Sequence, residues 1–294
     1  MLDKLTTEKR NEKTMDLDLM SVKEILETMN KEDLTVPQSV ASEIPQIEEA
    51  VQKTISSFRQ GGRLIYLGAG TSGRLGVLDA VECVPTFGSP PEMVQGFIAG
   101  GMKAFTKAVE GAEDNEALGV EDLDSISVNE NDTVIGIAAS GRTPYVIGAL
   151  KHAKTKGATT VSLSCNKNSE ISKYAEIAIE VETGAEVLTG STRLKAGTAQ
   201  KLVLNMISTA SMIGIGKVYK NLMVDVQSTN KKLVERSKRI IMQAAETDYD
   251  TASEFYEKAN QNVKAAIIMI LLNCTYEEAV EKLEKSNGFI RKTK

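Results

Sequence analysis

Leu64-Ile-Tyr-Leu67 runs straight into Gly68-Ala-Gly70-Thr71-Ser72-Gly73-Arg74, and the apolar Leu75, Val77 and Leu78 follow at helical spacing. An apolar run, a glycine turn, a hydroxyl pair and a helix start together form an anion cradle. The unpaired amides of the first helical turn and the positive end of the helix dipole face whatever fills the turn. The same order recurs where Val134-Ile-Gly-Ile137 leads into Ala138-Ala139-Ser140-Gly141-Arg142-Thr143, with Pro144 opening the helix. Two such turns at adjacent strand ends can converge on one ligand. The hydroxyls of Ser72, Ser140 and Thr143, with the backbone of Gly70, Thr71 and Gly141 beside them, suit a monophosphate ester better than a pyrophosphate laid along one turn. Gly68, Gly70 and Gly73 also fit GxGxxG, but the second strand ends in Gly96-Phe-Ile-Ala-Gly100-Gly101 with no acid for a ribose, which disfavours NAD. Taken singly, either loop is also what an ordinary capped helix start looks like.

Outward from these loops, β-rich runs at 63–67, 93–98, 133–138, 160–165 and 177–181 alternate with helical segments at 73–82, 103–110, 144–156, 170–174 and 194–216. Their hydrophobicity is continuous rather than alternating, as in strands buried on both faces, so the fold class is α/β with a doubly wound parallel sheet. Residues 1–60 read as an N-terminal helical segment of two helices. Ser21 to Glu24 forms a capping box, Pro37 sits at a helix start, and Val40, Ile44, Ile47, Val51, Ile55 and Phe58 recur every three or four residues. The sheet domain is expected over 61–234. Residues 235–294 read as a small domain of about three helices, with capping boxes at Thr251–Glu254 and Thr275–Glu278 and Gly288 in the C′ position.

Composition removes several function classes. Against 35 Lys and Arg stand 40 Asp and Glu, for a net charge of −5, so a nucleic-acid partner is not expected. The most apolar stretches are too short or too polar to span a membrane, and the start MLDKLTTEKRNEKT lacks the apolar core of a secretory signal, which places the chain in the cytoplasm. Three scattered cysteines, Cys83, Cys165 and Cys274, suggest neither a disulfide framework nor a zinc site, and the single His152 argues against a histidine metal site. His152 lies in a lysine-rich helical stretch and reads as a surface residue. Catalysis is left to carboxylates, hydroxyls and backbone donors. A third polar loop, Gly184 to Lys195, offers Ser191 or Thr192 as a helix cap, and Arg193 or Lys195 as a partner for an anionic substrate group or for acids across a dimer. Met206, Met212 and Met223 read as core.

The two loops resemble the phosphosugar loops of sugar isomerase (SIS) domains. LGAGTSGRLGVLDAVEC, the KAVEGAED of residues 107–114 and the TGSTRLKAGTAQK of residues 189–201 resemble the N-acetylmuramic acid 6-phosphate etherase family, and the likeness runs from TTEKRNEKT to NGFIRK. The second loop departs from the Ser-Gln-Ser type of related isomerase domains. It reads Ala138-Ala139-Ser140, which leaves phosphate binding more dependent on Ser72, Ser140 and Thr143. The resemblance implies cleavage of the lactyl ether of N-acetylmuramic acid 6-phosphate to N-acetylglucosamine 6-phosphate and D-lactate in cell-wall sugar recycling, by a homodimer with no metal or organic cofactor. It carries the catalytic pair onto Glu82 and Glu113, with Glu110 and Asp114 as neighbouring decoys. Two other readings share the loops: a phosphosugar-sensing regulator like the glucokinase regulatory proteins, and an aldose–ketose isomerase.

Overall fold

The structure, a computed structural model, describes residues 5–107, 109–226 and 230–293. The chain divides into two compact units, Met1–Val81 with Glu92–Ser208, and Glu82–Pro91 with Thr209–Lys294.

In the first unit, short 3-10 turns at Thr6–Glu8, Glu12–Thr14 and Leu17–Leu19 precede helix α1 (Val22–Asp33), α2 (Val36–Ala41) and α3 (Ile44–Arg59). Ser21 and Glu24 make the expected capping box. The run read as one helix from Pro37 onward is two, because Pro45 has no N–H and its ring excludes the carbonyl one turn back. The sheet follows: β1 (Leu64–Gly68), α4 (Gly70–Phe87), β2 (Val94–Ile98), α5 (Lys103–Thr106), α6 (Glu116–Ser125), β3 (Thr133–Ala138), α7 (Pro144–Thr155), β4 (Thr159–Ser164), β5 (Ile177–Glu180) and α8 (Lys195–Gly214). The strands are all parallel in the order β2-β1-β3-β4-β5. β1 and β3 are buried at every position, as their unbroken apolar runs require. In this order the connection reverses direction between β1 and β3, and the crevice beyond their C-terminal ends is where such sheets bind ligands. Both glycine-rich loops leave the sheet there.

Two elements depart from expectation. The helix read over 103–110 stops at Thr106, and a loop carrying Glu110 and Glu113 takes its place, with Gly111 in the left-handed region at φ +73°. Helix α6 was not legible, because its contact with α7 runs through glycine rather than a large apolar stripe. A Cβ on Gly119 would lie 2.3 Å from the Tyr145 carbonyl oxygen, and one on Gly148 would lie 2.2 Å from that of Glu116.

The second unit holds the hairpin β6 (Val218–Tyr219) and β7 (Leu222–Met223), then α9 (Lys231–Ala245), α10 (Tyr249–Lys258), α11 (Val263–Leu272) and α12 (Tyr276–Lys285). It has four helices where about three were read. Tyr219, Val224 and Val226 share one core with Ile241, Tyr256 and Ile267, so the segment before residue 235 packs with the helices after it. Thr275 and Glu278 make the capping box read from the sequence. At α10 the cap is instead Asp248, whose carboxylate accepts from the Thr251 amide at 2.7 Å, because the helix begins at Tyr249, two residues before Thr251. Asn287, at φ +51°, takes the C′ position one residue before Gly288, whose amide donates back to Leu283. Met212 is buried, Met206 is more than a third exposed because it faces away from the core, and Met223 lies in β7 rather than on a helix. No described helix is long and apolar enough to cross a membrane.

Candidate functional site

The first loop is built by close backbone approach. A Cβ on Gly68 would lie 2.7 Å from the Gly73 nitrogen, and one on Gly73 would lie 2.5 Å from the Gly68 carbonyl oxygen, so only glycines let the end of β1 fold onto the first turn of α4. In the second loop Gly141 takes φ +71°, and a Cβ there would meet that of Ser169 at 2.3 Å. Its carbonyl accepts from the Ile171 amide at 2.9 Å, and Ala139's accepts from the Asn166 side chain at 3.1 Å.

A cavity of about 280 Å³ opens beyond the ends of β1 and β2, lined among others by Gly70, Arg74, Glu110, Gly111 and Glu113. Arg74 is fixed there, its Nε donating to the Phe105 carbonyl at 2.9 Å and its Nη2 to that of Ala104 at 2.8 Å. The Tyr145 amide, in the first turn of α7, donates to the Glu113 carbonyl at 3.0 Å, so the acidic loop is tied to the second glycine loop. Glu110 and Glu113 both line the cavity and Asp114 does not, so a residue read as a decoy shares the site with one of the pair that the resemblance implies.

The hydroxyls are arranged unequally. Ser72 is buried, and its Oγ donates to Gln200 Oε1 on α8 at 3.0 Å. Thr143, the N-cap of α7, makes no side-chain bond to its helix, and Ser140 Oγ accepts a long 3.3 Å bond from the Arg142 amide. Thr71, Ser140 and Thr143 are half-buried, and Gly70 is exposed.

Glu82 is exposed and does not line the cavity. It falls in the fourth turn of α4, not at or beyond the helix end as expected, because α4 continues to Phe87.

The third loop differs from its reading. Neither Ser191 nor Thr192 supplies the N-terminal acceptor of α8. The Glu186 carboxylate does, accepting the Lys195 amide at 2.9 Å and the Ala196 amide at 3.0 Å. Burial pushes the Glu186 carboxyl above its ordinary range, against these amides and the Lys195 charge. Lys195 is itself buried on Glu32 of its own chain at 2.9 Å, where Asn11 and Lys13 also donate. Burial raises Glu32, but the donors from Lys13, Lys195 and Asn11 outweigh it and hold the carboxyl at about 2. Arg193 is exposed. His152 is mostly covered, paired with Asp124 at 2.8 Å.

Sequence reasoning passed over Arg74 and Gln200, although both stand in the quoted motifs. A lone Arg after a glycine loop, or a Gln within a helix, carries no local sign that a distant segment will close on it.

Family models match twice. The glucokinase regulatory protein N-terminal SIS domain covers residues 46–154 and the SIS domain covers 118–210. A protein named N-acetylmuramic acid 6-phosphate etherase from Bacillus cereus (strain G9842) is 72% identical over 292 residues, covering 99% of either chain. One of the same name from Bacillus mycoides (strain KBAB4) is also 72% identical over 292 residues, again 99% of both. Among solved structures, a phosphoheptose isomerase from Francisella tularensis aligns with 66% of this chain and 100% of its own, at 14% identity and a TM-score of 0.52. One from Neisseria gonorrhoeae aligns with 65% and 98%, at 14% identity and a TM-score of 0.50. At such identity these two show the fold alone.

Proposed function

The chain belongs to the N-acetylmuramic acid 6-phosphate etherase family and is an enzyme that cleaves the D-lactyl ether of that sugar phosphate; from this premise we propose which residues do the work. An ether oxygen is a poor leaving group. In the ring-opened sugar, however, the aldehyde acidifies the C2 proton, and the C3 ether stands β to the carbonyl. Loss of both releases D-lactate and leaves an unsaturated aldehyde, and water adding at C3 completes N-acetylglucosamine 6-phosphate. One base and one acid suffice.

Glu113 is the base, supported above all by its place on the cavity beside the first glycine loop. The 6-phosphate is held by Ser72, Ser140 and Thr143, with the Gly70, Thr71 and Gly141 backbone. The two helix starts and the unengaged Thr143 hydroxyl support this. Glu82 is the acid that protonates the departing lactyl oxygen. The working form is a homodimer in which the Glu82 of one copy serves the cavity of the other. Leu78 and Val81, 47% and 61% exposed on α4 just before Glu82, are the apolar face a second copy would cover. Neither a metal nor an organic cofactor enters these steps, and they run in the cytoplasm. The regulator and isomerase readings have no counterpart among the 72%-identical relatives named above.

Incubation with N-acetylmuramic acid 6-phosphate in isotopically labelled water tests the reading. D-lactate is released, and solvent oxygen appears at C3 of the product. A product that keeps its ether oxygen at C3 would rule out elimination.

A further inference from the structure

Gln200 is fully buried, and its Nε2 has no hydrogen-bond partner among the described residues, although its Oε1 accepts from Ser72. A buried amide donor left unpaired is rare and destabilising, more so than an under-satisfied carbonyl. The helix that carries it is anchored. It lies in the second turn of α8, whose first amides are pinned by Glu186 and whose Ala196 carbonyl meets the Cys165 thiol. Farther along the same helix, Asn205 and Ser208 donate to Asp79 of α4 at 2.7 and 3.1 Å, so α8 and α4 cannot slide apart.

Ser72 has one hydroxyl proton. While that proton is given to Gln200 Oε1, it is not available to an anion in the first loop. We propose that Gln200 is a positioning residue whose amide turns over when a phosphosugar binds, so that Nε2 donates to Ser72 Oγ and the Ser72 proton is released to the phosphate. The oxygen and nitrogen ends of an amide have nearly the same volume, so the turn needs no repacking. In the free protein Ser72 is the donor and Nε2 is unpaired. In the complex the amide is the donor, Ser72 relays it to the phosphate, and the carbonyl takes the place where a missing partner costs less. The motif that contains Gln200 thereby acts on the phosphate through the first loop without touching substrate.

The inference rests on the reading of Ser72 as a phosphate ligand, and a set of full-length variants separates the two. The affinity for N-acetylglucosamine 6-phosphate is measured by calorimetry, KM and kcat are measured on the ether substrate, and thermal melting confirms folding. Ser72→Ala weakens product affinity roughly 10- to 100-fold. In a Gln200→Met background the same Ser72→Ala change costs only a few-fold, because a hydroxyl with no donor behind it is no longer oriented to the phosphate. In all of these KM carries the change and kcat stays within about 3-fold, since the phosphate is remote from C2 and C3. If Ser72→Ala leaves affinity unchanged, Ser72 is not a phosphate ligand and the inference falls with that reading. If Ser72→Ala costs the same with and without Gln200, Ser72 keeps its role and Gln200 has none.

Discussion

The loop after β1 and the loop after β3 share one local design, yet the structure leaves them in opposite states. In the first, Ser72 is buried and its proton is given to Gln200; in the second, Ser140 and Thr143 are half-buried and Thr143 makes no bond to the helix it caps. The first loop is governed by α8, which arrives from more than a hundred residues away, and the second is held by its own neighbours Asn166, Ser169 and Ile171. The difference teaches that a strand–turn–helix motif sets where an anion can sit, while the helix packed behind it sets which hydroxyls are available.

The largest expected effect tests the acids around the first loop. Glu113→Gln abolishes both lactate release and exchange of the C2 proton with deuterated solvent, a loss of roughly 10²- to 10⁴-fold. Glu82→Gln stops lactate release and leaves C2 exchange running. Co-expressed, the two dead variants recover about a quarter of wild-type lactate release, because half of randomly paired dimers are mixed and each mixed dimer has one intact site. No recovery in purified mixed dimers would place both acids within one chain.

Next comes the anchor behind the first loop. Glu32→Gln leaves Lys195 buried without its countercharge and lowers stability by about 3 kcal/mol, read by denaturant unfolding. The wild type shows the same pair through pH. The Glu32 carboxyl sits at about 2 against an ordinary 4.5, so its contribution is complete above 4.5 and is lost as pH falls from there toward 2. A wild-type acid unfolding curve steeper than that of Glu32→Gln in this window is the expected result, and parallel curves would contradict it. Smallest is the second loop: Thr143→Ala costs about 10-fold in KM with stability unchanged, since its hydroxyl supports no helix bond. A fall in melting temperature would show that Thr143 caps after all.

Much of this was legible in the sequence. The five strands, the two loops and the capping boxes at Ser21 and Thr275 came from patterns a few residues long. Helix α6 did not, because its glycine contact leaves no apolar stripe. The cap of α8 did not either, because a carboxylate nine residues upstream displaced the local hydroxyls. Arg74 and Glu110 were visible as residues, but only the cavity gave them a common place.

By itself the sequence determined the parallel sheet and the two glycine turns that open α4 and α7, since strand runs, glycine turns and helix starts are set by neighbours in the chain. Only the tertiary structure decided that Lys195 turns inward to Glu32, 163 residues away, instead of toward a substrate, and that Ser72 meets Gln200, 128 residues away. It alone decided that Glu82 falls in the fourth turn of a continuous helix rather than at its end. A charged or hydroxyl side chain takes whichever partner packing brings within about 3 Å, and no local pattern encodes which distant segment that will be.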